Sequence, residues 1–144
     1  MQQGKPVPFH GTDLPGQQLA ITIQNGTEVL YAADCQADAS GLWEWMLPPL
    51  PAGGPYRITV EGSEKLYLED VLIGDVWLCS GQSNMDMPIA DWGMVHDYES
   101  ILAGAGDDLI RLLDIDNRQA IHPLTDAASE GWKKCTAEHL RTFS

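Results

Sequence analysis

Positive charge is scarce in this chain: eight Lys and Arg stand against 21 Asp and Glu, for a formal net charge of −13. Such a balance repels nucleic acid and anionic membrane surfaces at moderate salt, so neither is expected as a partner. Long apolar runs are also missing. No stretch reaches the roughly 18 residues that suggest a membrane helix, and Met1-Gln2-Gln3-Gly4-Lys5-Pro6 has no apolar core of a secretory signal. Cysteine is sparse, with Cys35, Cys79 and Cys135 forming an odd count and no CxxC. That argues against a metal site or a full disulfide framework, and leaves a bridge from Cys35 or Cys135 open. Internal repeats and low-complexity tracts are absent. With 144 residues, 44% hydrophobic, the chain can build one ordinary core and not two complete ones.

What is present in the first 70 residues is period-two alternation. Leu19-Ala20-Ile21-Thr22-Ile23-Gln24 is followed by Asn25-Gly26 and then Thr27-Glu28-Val29-Leu30-Tyr31-Ala32-Ala33. Asn-Gly between two such runs predicts a hairpin whose two-residue turn sets Ile21 opposite Leu30. In Leu42-Trp43-Glu44-Trp45-Met46-Leu47 the residues Trp43, Trp45 and Leu47 share a face. Pro48 to Pro55 reads as a Pro/Gly connection unfit for a central strand. Tyr56 to Val60 and Lys65 to Ile73 read as further strands, and the turn spacing suggests a sandwich.

The pattern changes at Gly74. Val76-Trp77-Leu78-Cys79 is a short continuous apolar run, expected of a strand covered on both faces, with Cys79 as a small core side chain. Ser80-Gly81-Gln82-Ser83 follows at once. Gly81 permits backbone angles closed to other residues, so the chain can turn sharply and present Ser83 at the first turn of a helix. Unpaired backbone N–H groups there favour developing negative charge, the placement an acyl-transfer nucleophile needs. Asp91 to Gly104 has weak helical character, Leu109 to Ile115 reads as a second buried strand, and the order predicts a right-handed parallel unit. Residues 116–131 read as loop, and Thr136-Ala137-Glu138-His139-Leu140 as a capped helix start.

The block Gly74-Asp75-Val76-Trp77-Leu78-Cys79-Ser80-Gly81-Gln82-Ser83-Asn84-Met85 closely resembles the first sequence block of the sialate O-acetylesterases, which belong to the SGNH (GDSL-like) hydrolases. Upstream, Asp38 to Trp43 and Leu47 to Tyr56 resemble the β-rich region preceding the esterase core in that family. Leu109 to Leu112 and Gly131 to Cys135 also resemble family segments. A G-x-S-x-G elbow does not fit, because Met85 stands where the second Gly would be.

The resemblance implies a mixed fold: a β-sandwich-like module over 1–73, truncated at its start, then the beginning of an SGNH-type α/β (flavodoxin-like) hydrolase domain over 74–144. It implies a carbohydrate O-acetylesterase. Ser83 is the expected nucleophile, its backbone N–H one oxyanion donor, and Gln82, Asn84 and Trp92 are substrate-contact candidates. The partner is an acetylated sugar, and no metal or organic cofactor is implied. The family takes its base from an Asp-x-x-His and further oxyanion donors from a Gly and an Asn in later blocks. None of these occurs here, so the chain is expected to be an inactive N-terminal fragment. Relatives are often secreted, periplasmic or lysosomal.

Blander readings stand beside these. A serine at a helix start is commonly a cap. Gln82 and Asn84 serve equally well as loop hydrogen-bonders. Asp75 and Asp86 read as solvated or turn residues, and Trp43 and Trp45 as core. His10 and His122 sit in loop-like, Pro-flanked surroundings, His96 in the weak helix and His139 in the terminal helix turn, all as surface or structural histidines. A sialate carboxylate would need local positive charge, and Arg57, Arg111, Arg118 and Lys133 are residues of the right kind. Alternatives are an esterase for acetylated xylan, a non-catalytic carbohydrate-binding β module, and a processed subunit whose base arrives on the remainder of the catalytic domain as a second chain.

Overall fold

The structure is a computed structural model describing residues 1–124 and 126–144. The chain divides into two units, Met1–Trp77 and Leu78–Ser144. The first contains six strands: β1 (Val7–Thr12), β2 (Gln18–Asn25), β3 (Glu28–Gln36), β4 (Leu42–Leu47), β5 (Gly53–Glu61) and β6 (Lys65–Ile73). They form a two-stranded sheet, β1-β4, and a four-stranded sheet ordered β3-β2-β5-β6, with every pairing antiparallel.

Alternation decides which side faces in. Leu19, Ile21 and Ile23 of β2, Ile58 and Val60 of β5, and Trp43 and Leu47 of β4 make one core cluster drawn from both sheets. Ile21, Ile23, Ile58 and Leu47 are fully buried, and burial of each such side chain stabilises by about 1.5–3 kcal/mol. Phe9, Trp45 and Tyr31 extend the core as a tilted aromatic chain, with ring centroids 5.7 and 5.4 Å apart. Opposite Trp43 on β1 stands Gly11, where an added Cβ would lie 2.7 Å from Trp43 Cζ2. Glycine is needed there for close approach of the indole. Leu66 and Leu68 of β6 pair with Val60 and Ile58 yet remain 58% and 49% exposed, so the core covers only the end of β6, where Val71 packs against it and Ile73 is buried.

Several expectations are corrected. The hairpin turn is one residue later than Asn25-Gly26, with Asn25 opposite Glu28, and a bulge skips Leu30; together these set Ile21 opposite Ala33. The positive φ of 58° falls on Gly26. Strand β5 begins inside the Pro/Gly connection. Its pairing with β2 starts only at Arg57, so Pro55 lies beyond the doubly paired part, beside a bulge against β6 where its missing N–H costs no ladder bond. His10 is on β1, opposite Glu44, and not in a loop.

The second unit contains α1 (Tyr98–Ala103), β7 (Asp107–Leu112), β8 (Lys133–Cys135) and α2 (Ala137–Thr142). Val76–Cys79 is not a strand. A strand requires lateral partners, and among the described residues the amides of Trp77, Leu78 and Cys79 have none. Trp77 and Leu78 are 84% and 91% exposed, and Cys79 is an exposed free thiol rather than a core residue. Among the described residues the expected parallel unit does not form. Strand β7 pairs antiparallel with β8, leaving Leu109 71% and Ile110 45% exposed. The helical character of 91–104 condenses into α1 alone, which buries no residue. Helix α2 is capped as expected, with Thr136 Oγ1 accepting the His139 N–H at 3.2 Å.

Candidate active site

Ser83 lies in a single helical turn. The Gln82 carbonyl accepts the N–H of Met85 at 2.8 Å and of Asp86 at 3.2 Å, enclosing Ser83 and Asn84. Among the described residues, the N–H groups of Ser83 and Asn84 bond no acceptor, as befits the first positions of a helical turn. The Ser83 side chain is exposed and its hydroxyl makes no hydrogen bond there. Gly81 keeps φ outside the left-handed region, contrary to the expectation of unusual backbone angles. Its requirement is space: a Cβ at Gly81 would fall 2.7 Å from Met85 Cγ, so the bare backbone lets Met85 fold over the turn.

The other candidates are distributed as follows. Gln82 holds the turn through its carbonyl, and its side chain and that of Asn84 are exposed. Sequence reasoning named only the Ser83 N–H as a donor. The adjacent Asn84 N–H is equally unengaged, and the general vacancy of first-turn donors was the available signal. Trp92 is 68% exposed. Asp75 accepts the Gln3 side-chain amide at 3.0 Å.

No histidine is brought to Ser83 by a hydrogen bond. His96 pairs with Asp97 at 2.8 Å, both side chains being open to solvent. His139 Nδ1 lies 3.0 Å from the Lys134 carbonyl and 3.1 Å from Thr136 Oγ1. His122 is exposed. Displaced pKa values occur at other places: burial pushes the Cys35 thiol up, so it is a poor thiolate, and burial also raises the Asp114 carboxyl against the opposing pull of Lys133. Among the described residues no three His, Cys, Asp or Glu side chains gather as a metal site, and no helix is long and apolar enough to cross a membrane.

The turn therefore offers an accessible hydroxyl beside two vacant amide donors. Known proteins are similar to the chain over most of its length. The sialate O-acetylesterases of Pongo abelii and Homo sapiens are each 33% identical to this chain over 138 residues, or 90% of it. That of Mus musculus is 29% identical over the same share.

The chain is a homologue of the sialate O-acetylesterases.

It spans about a quarter of the length of these curated relatives, 26% for the first two and 25% for the mouse protein. A crystal structure of a carbohydrate acetylesterase from Xanthomonas citri matches 99% of this sialate O-acetylesterase homologue with a TM-score of 0.85 and 32% identity, over 32% of that chain. No protein-family model matches the sequence.

Proposed function

We propose that this chain is part of a carbohydrate O-acetylesterase in which Ser83 is the nucleophile, and that residues 74–144 enter an SGNH-type α/β hydrolase domain. The observation carrying the reading is the exposed Ser83 hydroxyl on a turn whose first two N–H groups are unengaged. The names of the relatives support the chemistry, since one group are sialate O-acetylesterases and the structural neighbour is a carbohydrate acetylesterase.

In this mechanism Ser83 Oγ attacks the carbonyl carbon of a sugar acetate. The carbonyl oxygen takes the negative charge and is met by the Ser83 N–H, with the Asn84 N–H vacant beside it. Collapse of the adduct expels the sugar alkoxide, which is protonated as it leaves. Water then releases acetate from the acyl-serine. The serine proton needs a base, and among the described residues of the second unit no histidine is hydrogen-bonded to Ser83. We assign that role to residues outside this chain, either on the same polypeptide or on a second one. Gln82 and Asn84, exposed on either side of the serine, contact the substrate. No metal or organic cofactor enters the reaction.

The test is Ser83→Ala in a polypeptide carrying these residues together with the base. Hydrolysis of an aryl acetate is expected to fall by about 10³-fold or more. Retention of full activity would refute the assignment. The 144-residue chain alone is expected to release no more acetate than its Ser83→Ala variant, and clear release above that control would place the base among these residues.

A further inference from the structure

We infer that Met85 is a positioning residue for Ser83. Its side chain folds onto the bare backbone of Gly81 and closes the turn that carries the serine, and Met87, seated in the same way on Gly93, fastens that turn to the loop behind it. The inference rests on the esterase reading for the role of Ser83.

So short a turn cannot hold a nucleophile by helix formation alone. A first turn fixes several backbone angles for one hydrogen bond and is unstable unless something else holds it. The 82–86 turn has a single acceptor, the Gln82 carbonyl, which receives the Met85 N–H at 2.8 Å and the Asp86 N–H at 3.2 Å. Met85 closes the turn a second time. A Cβ at Gly81 would lie 2.7 Å from Met85 Cγ and 3.5 Å from Met85 Cβ, so residue 85 fills the space a side chain at 81 would need. Ser83 lies midway between the two. The backbone bond sets the width of the turn, and the methionine on the glycine sets its curvature, hence the direction of Ser83 Oγ and of the vacant N–H groups of Ser83 and Asn84. Methionine suits this task because an unbranched side chain can lie along a backbone. Gly81 is outside the left-handed region, so alanine there is opposed by Met85 and not by backbone strain.

The same pairing recurs where the turn ends. A Cβ at Gly93 would collide with Met87 Cγ and lie 2.9 Å from Met87 Sδ, and Gly93 is likewise outside the left-handed region. Met87 is half-buried and directly follows the turn. Its seat is itself held. The Val95 N–H reaches the Ile89 carbonyl at 3.1 Å, the Ile89 N–H donates to the Phe143 carbonyl at 3.1 Å, and the Ala90 N–H to the Arg141 carbonyl at 2.9 Å. These bonds tie the loop 89–95, which carries Trp92, to the residues ending α2. Pro88 and Ala90 are buried at its base. One methionine therefore closes the serine's turn and the other anchors it.

The consequence is kinetic. A nucleophile displaced by about 1 Å from its attack geometry loses about 100-fold in rate. Met85 acts through Ser83, so its loss lowers kcat and leaves KM nearly unchanged.

The experiment has two readouts. In the ¹⁵N-labelled chain, the heteronuclear NOEs of the Ser83 and Asn84 amides report the order of the turn, and the remaining amide resonances report an intact fold. In a polypeptide carrying these residues together with the base, hydrolysis of an aryl acetate gives kcat and KM. Met85→Ala opens the contact and Gly81→Ala drives a methyl into it. Each is expected to lower both NOEs and to reduce kcat by about 10- to 100-fold, with KM within about twofold of wild type. In the Met85→Ala background the methyl at 81 has room, so Gly81→Ala should then cost less than about threefold. Met85→Gln keeps the unbranched chain and should return kcat to within about threefold of wild type. Gly104→Ala is the control, because its Cβ would meet the carbonyl oxygens of Ser100 and Ile101 at an ordinary 3.5 and 3.6 Å, and it should change neither readout. Unchanged NOEs in Met85→Ala, additive losses in the double variant, or a mobile turn with undiminished kcat each overturn the inference. Full hydrolysis by Ser83→Ala sinks the esterase reading and the positioning role with it, whereas Ser83-dependent hydrolysis indifferent to Met85 sinks the positioning role alone.

Discussion

Gly11 offers a stringent test of how the first unit is packed. In Gly11→Ala the new methyl would lie 2.7 Å from Trp43 Cζ2 and 2.8 Å from Cε2, well inside contact distance. The obstacle is the body of an indole rather than the end of a flexible side chain, and Trp43 is itself only 9% exposed within the core cluster. Relief therefore requires displacing Trp43 against Leu47 and its neighbours. Overpacking of this kind costs about 1–3 kcal/mol, offset by about 0.4–1 kcal/mol because alanine restricts the unfolded chain. The net loss is about 1.5 kcal/mol, which for a unit of this size lowers Tm by roughly 6–12 °C. Thermal and urea unfolding followed by far-UV circular dichroism measures it. Gly74→Ala is the control, since a Cβ there meets nothing within 4 Å and the residue is not among those with positive φ. The expected order is Gly74→Ala at or above wild type and Gly11→Ala well below. In a double-mutant cycle, Trp43→Phe should reduce the effect of Gly11→Ala, because the smaller ring vacates the space. A Gly11→Ala protein as stable as wild type would refute the reasoning.

Three further outcomes are expected. The Asp38 carboxylate accepts the Ser40 hydroxyl and N–H, each at 2.7 Å, and the Leu42 N–H at 3.0 Å; the Ser40 hydroxyl is the largest of the causes holding its pKa below the usual 3.8. Its contribution to stability is therefore present above about pH 4 and lost as pH falls through the depressed folded value, so Asp38→Asn should flatten part of the acid limb of a Tm–pH curve, and superimposable limbs would count against it. Thr136→Ala removes the acceptor of the His139 N–H, and a lost cap of about 1 kcal/mol should speed exchange of that amide by about fivefold, with no change refuting the capping role. Native-state exchange should be slowest in β2 and β5 and fastest over Trp77–Ser80, whose amides have no acceptor among the described residues; protected amides at Trp77–Cys79 would show a partner strand.

What the sequence by itself determined is the β-rich first unit and the identity of the chemical block. Period-two alternation at Leu19, Ile21 and Ile23, and at Trp43, Trp45 and Leu47, survives into the structure because a strand can bury only one set of alternate side chains. Strand β1 was not legible, since Val7-Pro8-Phe9-His10-Gly11-Thr12 has a Pro and a Gly inside a weak pattern and becomes a strand by pairing with β4. Hairpin register needed the bulge at Leu30, a local choice that composition does not encode. The apolar run Val76–Cys79 and the strand-helix-strand order misled for one physical reason. Hydrophobicity specifies that a segment should be covered, while only the tertiary structure decides whether a lateral partner exists to pair its backbone. Likewise the turn that carries Ser83 was legible from its flanking residues, because a turn after Gly81 is local. The bonds bracing the turn at Trp92 and the pairing of Arg57, Arg118 and Lys133 became visible only once chain segments distant in sequence, or side chains within hydrogen-bonding reach, had positions in space.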